Sequence, residues 1–134
     1  YYTYVLIGDG EIQEGQIWEA AMSASKFKVD NVITILDNNG VQLDGTNEEI
    51  MPMGDIADKW KSFGWNVIHA DGHEAASIVE AINKAKAVKG IPSVIIAKTV
   101  KGKGVSFMEG KHIWHGKPLT CDEYNTACEE LGVK

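Results

Sequence analysis

Four short apolar runs punctuate the chain: Tyr4 to Ile7, Val32 to Leu36, Trp65 to Ile68 and Val94 to Ala97. Each is rich in β-branched residues and lacks polar alternation, the pattern of strands buried on both faces of a parallel sheet. Between them the apolar positions fall at helical spacing. Gln13 to Lys28 places Ile17, Trp18, Ala21, Met22 and Ser25 on one face. Asp55 is set to cap a short helix carrying Ile56, Trp60 and Phe63, with Gly64 as its stop. Glu74 to Lys89 lines up Ala75, Ile78, Val79, Ile82 and Ala85 before Gly90, and Thr120-Cys121-Asp122-Glu123 forms a capping-box pattern that opens a last helix ending at Leu131 and Gly132. Trp18, Trp60 and Phe63 read as core aromatics. Cys121, Tyr124, Cys128 and Leu131 share one helical face, which predicts that both cysteines are buried. Strands alternating with helices predict an α/β fold, a parallel sheet with helices on both faces, in one domain over residues 1–134.

In such sheets ligands bind beyond the carboxyl ends of the strands, so the loops after the first, second and fourth strands are where chemistry is expected. Gly8-Asp9-Gly10 stands where the first strand ends. Glycines there permit a tight turn and let a bulky ligand approach the backbone, and the following helix offers free N–H groups to an anion. An aspartate at that spot repels a phosphate unless a cation lies between them, which points to magnesium. Thirty residues later Asp37-Asn38-Asn39-Gly40-Val41 closes the second strand, on the same sheet edge. Carboxylate, amide and main-chain carbonyl oxygens are the hard donors that magnesium takes, so Asp9 and Asn39 are the candidate ligands. Asn39-Gly40, with Asp44-Gly45 after it, also predicts a small hairpin that carries the metal ligand. A dinucleotide fingerprint fails because its third glycine falls at Gln13, and Gly102-Lys103-Gly104 lacks the serine or threonine of a P-loop. That turn reads instead as a loop at the mouth of the site. His112 and His115 have no cysteine or carboxylate nearby to complete a zinc set, while His69 and His73 read as structural or solvated. Glu129 and Glu130 read as a solvated face.

Composition narrows the classes. With 134 residues, 44% apolar and 24% charged, the chain is suited to one folded domain with a core. The net charge of −6 disfavours nucleic-acid and membrane-surface binding, which need clustered cations. All 13 basic residues are lysines, so the planar fork that grips phosphates bidentately is missing. Two cysteines in a chain that can build a core read as reduced thiols. No run reaches the length of a membrane span. The chain begins almost directly in a strand-like run, which reads as an internal piece of a larger protein.

The run GDGEIQEGQIWEAA, the DNNGVQLDG loop, the GKG turn after KTV and the closing WHG together resemble the cofactor-binding domain of transketolase. Glu14-Gly15 followed by Trp18-Glu19-Ala20 is similar to the transketolase branch more than to deoxyxylulose-phosphate synthase or a 2-oxoacid dehydrogenase component. The resemblance implies thiamine diphosphate and Mg2+ as cofactors, with Asp9, the side chain of Asn39 and the main-chain oxygen of Val41 as metal ligands. It implies that Gly8 and Gly10 admit the diphosphate, that Glu14 lies near a subunit interface coupled to a partner glutamate, and that His115 faces the cofactor and donor sugar. The implied activity is transfer of a two-carbon ketol unit from a ketose phosphate to an aldose phosphate. The implied setting is a cytoplasmic, dimeric transferase of the pentose phosphate pathway. The chain would be the C-terminal portion of the diphosphate-binding domain, with pyrimidine-binding and C-terminal domains supplied by a missing segment or a partner chain in a homo- or hetero-oligomer. The reading from a different class is a non-catalytic fragment that binds a partner and turns nothing over.

Overall fold

The computed structural model of the chain describes residues 1–133. The strands are β1 (Thr3–Gly8), β2 (Val32–Asn38), β3 (Asn66–Asp71) and β4 (Ser93–Lys98). The helices are α1 (Gly15–Lys26), α2 (Asn47–Ile50), α3 (Ile56–Ser62), α4 (Ala75–Ala87) and α5 (Cys121–Leu131), with single 3-10 turns at Glu11–Gln13 and His112–His115. The four sheet strands pair in parallel, in the order β1-β2-β4-β3. β4 is thus inserted between β2 and β3, and Gly8 registers with Asp37 while Asn38 registers with Lys98. The loops after β1, β2 and β4 therefore leave one edge of the sheet side by side.

Successive residues of a strand point to opposite faces, and β4 divides accordingly. Val94 and Ile96 join Ile7, Ile12, Ala21, Leu36, Trp60 and Trp65 in a core under α1 and α3. Ile95 joins Ile33, Ala70, Ala81 and Ala85 in a second core under α4. The first core is built around aromatics: Trp60 lies 5.2 Å from Trp18 and 4.8 Å from Trp65 between ring centroids. Trp65 Nε1–H donates to the Ala21 carbonyl at 2.9 Å, which ties the entrance of β3 to α1.

Several details differ from the sequence expectation. The first helix begins at Gly15 rather than Gln13, because Glu11–Gln13 turns as a 3-10 helix and Glu14 is extended (φ −75°, ψ 130°). Trp65 lies just ahead of β3, and that strand continues through His69 to Asp71. α2 was not anticipated, although Thr46 and Glu49 form a full capping box around it. The expected hairpin shrinks to one antiparallel bridge, Val41 with Thr46, whose tip is closed by the Gln42 N–H on the Gly45 carbonyl (2.9 Å). The prediction that both cysteines are core residues is overturned. Cys121 is exposed, Cys128 is only half-buried, and Ala127 is the residue of α5 that packs inside.

Candidate functional site

Asp9, directly after β1, is 1% exposed. Its Oδ2 accepts the Gly40 N–H at 2.6 Å, a bond that joins the β1 and β2 loops across the sheet edge. Its own N–H donates to the Asp37 carbonyl at 3.1 Å. Burial pushes the Asp9 carboxyl above its ordinary value, and the charge of Asp37 adds to the rise; hydrogen bonds from Gly40, the Asn47 side chain and Gly10 pull the other way. This is a buried carboxylate with amide donors and a like-charged neighbour, and among the described residues no lysine forms an ion pair with it. Gly10 sits where a Cβ would come within 3.2 Å of Gln42 Cβ, tighter than side chains ordinarily pack.

The β2 loop places Asn39 beside it. Asn39 Nδ2 donates to Asp37 Oδ1 (3.3 Å), and Asn39 Oδ1 accepts the Val41 N–H (3.0 Å). Gly40 takes φ +82°, a region a side chain rarely adopts, and its carbonyl accepts the Asn47 N–H at 3.0 Å. The left-handed glycine turns the chain back so that Val41 is buried over the site.

The loop after β4 closes the other side. Val100 N–H donates to His73 Nε2 at 2.7 Å, and Gly110 N–H to the Lys101 carbonyl at 2.9 Å. Trp114 packs edge-on to Phe107 and donates to its carbonyl at 3.1 Å, with Lys117 Nζ 4.1 Å from the Trp114 ring centre. This framework carries Lys101 and His115 to the same opening. Glu130 of α5, exposed as its sequence reading expected, also accepts both the N–H and the hydroxyl of Ser106 at 2.6 Å.

One cleft of about 750 Å³ is lined by Gly8, Asp9, Gly10, Glu14, Asn39, Val41 and His115 together. Every candidate site residue read from sequence is therefore brought to one place, Glu14 and His115 on its exposed rim. Sequence reasoning missed Asp37, Glu11 and Lys101, which line the same cleft. Asp37 was in view as part of the Asp37-Asn38-Asn39 run, and Lys101 as the lysine before the GKG turn. Glu11 carried no signal; its Oε2 accepts the Gly8 N–H at 2.6 Å. Among the described residues, no group of three or more His, Cys, Asp or Glu side chains is gathered to hold a metal ion. A site of one carboxylate, one amide oxygen and one carbonyl oxygen is instead the donor set of a hard cation that keeps further positions for phosphate and water. The buried Asp9 carboxyl, without a cationic partner among the described residues, fits that ion. No helix of the described residues is long and apolar enough to cross a membrane.

Residues 1–134 match the family described as transketolase, thiamine diphosphate binding domain. The chain is 48% identical over 128 residues to the 6-deoxy-6-sulfo-D-fructose transketolase subunit SqwG of Clostridium sp. (strain MSTE9), covering 96% of this chain and 46% of that protein. It is 42% identical over 134 residues to an apulose-4-phosphate transketolase subunit of Phocaeicola vulgatus, covering 100% of this chain and 48% of that one. The chain thus spans about half the length of these relatives. Its fold superposes on transketolase from Campylobacter jejuni with a TM-score of 0.92 at 34% identity, over 100% of this chain and 21% of the other.

Proposed function

The chain belongs to the transketolase family, as its thiamine diphosphate binding domain, and from that premise we propose that it supplies the magnesium and diphosphate half of a ketol-transfer site. The reaction is movement of a two-carbon ketol unit from a ketose phosphate to an aldose phosphate. What supports this reading is the convergence of Asp9, Asn39 and Val41 on one cleft, around a buried carboxylate that lacks a cationic partner among the described residues. When bound, thiamine diphosphate supplies the nucleophile and the electron sink for breaking the bond beside the ketose carbonyl.

The protein's own part is position, charge and protons. Asp9 and the amide oxygen of Asn39, with the Val41 carbonyl, would hold Mg2+, whose charge would offset that of the diphosphate. Gly8 and Gly10 leave the backbone open to it. His115, on the rim, orients the sugar hydroxyls and carries a proton to or from the reacting carbonyl. Glu14, at the head of α1 and exposed, faces the subunit that brings the carboxylate for the aminopyrimidine ring. In this reading the chain is the C-terminal portion of a diphosphate-binding domain. Pyrimidine-binding and C-terminal domains come from the rest of the protein or from a partner chain, in a cytoplasmic dimer or hetero-oligomer serving sugar-phosphate interconversion. The Clostridium and Phocaeicola relatives are both named as transketolase subunits, which supports a multi-chain assembly.

The test is reconstitution of the full-length protein with its partner subunit. Ketol transfer that depends on thiamine diphosphate and Mg2+ is expected. Asp9→Asn is expected to reduce it at least about 100-fold, since changes merely behind a metal ligand already cost about 10–100-fold. Activity surviving that substitution at ordinary Mg2+ would remove Asp9 from the ligand set. Inactivity of a properly assembled wild-type complex would favour a non-catalytic, partner-binding chain.

A further inference from the structure

Behind the proposed ligands, residues from three separate loops connect into one hydrogen-bonded device. Asp37 Oδ1 accepts from Asn39 Nδ2 at 3.3 Å and also from the Thr99 hydroxyl. A carboxylate only accepts, so the Asn39 amide has one orientation available to it: nitrogen toward Asp37, oxygen toward the Val41 N–H at 3.0 Å. An asparagine without such a partner presents either end with similar ease. The oxygen that accepts the Val41 N–H keeps a second lone pair, the kind of donor a hard cation takes.

Thr99 is in turn held by space and by backbone. Its N–H donates to the Asn38 carbonyl at 3.4 Å, and the Gly72 N–H donates to the Lys98 carbonyl at 2.8 Å. A Cβ on Gly72 would overlap Thr99 Cγ2 and lie 3.0 Å from the Lys98 carbonyl. The loop after β3 therefore comes close to the loop after β4 only because residue 72 has no side chain, and the Thr99 methyl fills that space.

Resting on the metal-site reading above, we propose that Thr99 and Gly72 are positioning residues for the cation. Thr99 fixes the Asp37 carboxylate, Asp37 sets the polarity of the Asn39 amide, and Gly72 keeps the room that Thr99 occupies. A threonine merely bridging two loops would serve stability, with no preference for which end of Asn39 faces the cleft.

The experiment is calorimetric titration of Mg2+ into the full-length protein assembled with its partner and saturated with thiamine diphosphate. Thr99→Val, which keeps the shape and removes the hydroxyl, is expected to weaken Mg2+ binding about 10–100-fold. Thr99→Ser restores the hydroxyl and is expected to bind within about threefold of wild type, since the bond to Asp37 is what counts. Gly72→Ala is expected to weaken Mg2+ like Thr99→Val. Combining it with Thr99→Ser, which deletes the methyl that the new Cβ meets, is expected to recover most of the loss. Wild-type Mg2+ affinity in Thr99→Val, or equal losses in Thr99→Val and Thr99→Ser, overturns the proposal. If Thr99→Val does not fold, the Gly72→Ala pair decides, and a double variant no better than the single one overturns it. Asp9→Asn separates the two readings: loss of Mg2+ there with none in Thr99→Val sinks the positioning role alone, whereas unchanged Mg2+ in Asp9→Asn sinks the metal site and this proposal with it.

Discussion

Asp9 illustrates what a single residue concedes in stability for a site. It is buried against amide donors, beside the like charge of Asp37, and its carboxyl is shifted upward chiefly by burial. A group whose folded value is raised stabilises the fold at low pH and loses that contribution as pH rises through the folded value. Once ionised, Asp9 is a buried charge that nothing among the described residues neutralises in the metal-free protein. Asp9→Asn keeps the shape and removes the charge, so without metal it is expected to melt at or above the wild-type temperature. Wild type should then gain thermal stability on adding Mg2+ with thiamine diphosphate, and the variant should not. Differential scanning calorimetry of both proteins, with and without the ligands, checks this; a metal-free variant melting well below wild type would contradict it. Asp9 and Asn39 were legible in sequence because each sits at a strand end flanked by glycine. Thr99 was not, because its bond to Asp37 depends on β4 lying beside β2, a placement that local spacing does not encode.

At the scale of elements, α5 shows how a helix whose cysteine face was expected to be buried packs instead through Ala127 and a specific partner in the loop after β4. Its capping box at Thr120 and Glu123 was visible in sequence and is formed. Lys117 also bonds Glu123, and with the Thr120 N–H it lowers the Glu123 carboxyl from 4.5 to about 2. Glu130, near the other end, is lowered by its bonds to the Ser106 hydroxyl and N–H. For both groups the folded value is depressed, so their stabilising effect is present above the ordinary carboxyl range and is lost as pH falls through the folded value. Acid should therefore release the loop that carries Lys101 and His115 from α5 before the sheet is disturbed. The measurement is the Ser106 amide resonance, expected to titrate with Glu130 in wild type and to be pH-independent in Glu130→Gln. Glu130→Ala is expected to lower hydrogen-exchange protection at Ser106 several-fold while leaving β2 and β4 unchanged; loss of protection throughout the sheet would show that α5 supports the whole fold instead. The misreading of Cys121 and Cys128 has the same origin. Their spacing defined a face correctly, but α5 turns Ala127 inward and packs against a loop, so only a narrow stripe is covered.

For the whole molecule, apolar patterning told which segments are strands but not how completely each is covered. β4 is buried almost throughout, whereas β1, with a similar apolar run, has Leu6 at 72% and Tyr4 at 46% exposure on the face away from Ile7. The physical reason lies in the strand order. α4 packs on β3, β4 and β2, so the covering on that side ends before it reaches β1, whose outer edge also pairs with no described strand. A parallel edge strand with exposed apolar side chains is a template for association. The 134-residue chain on its own is therefore expected to self-associate at micromolar concentration and to bind a hydrophobic dye. Leu6→Lys should reduce both effects, because a cation on that face repels a second copy while the buried Ile7 side is untouched. Analytical ultracentrifugation of the two chains over a concentration series gives the answer. A wild-type chain that stays monomeric, or a Leu6→Lys chain that associates equally, would mean that the β1 face is not what drives assembly.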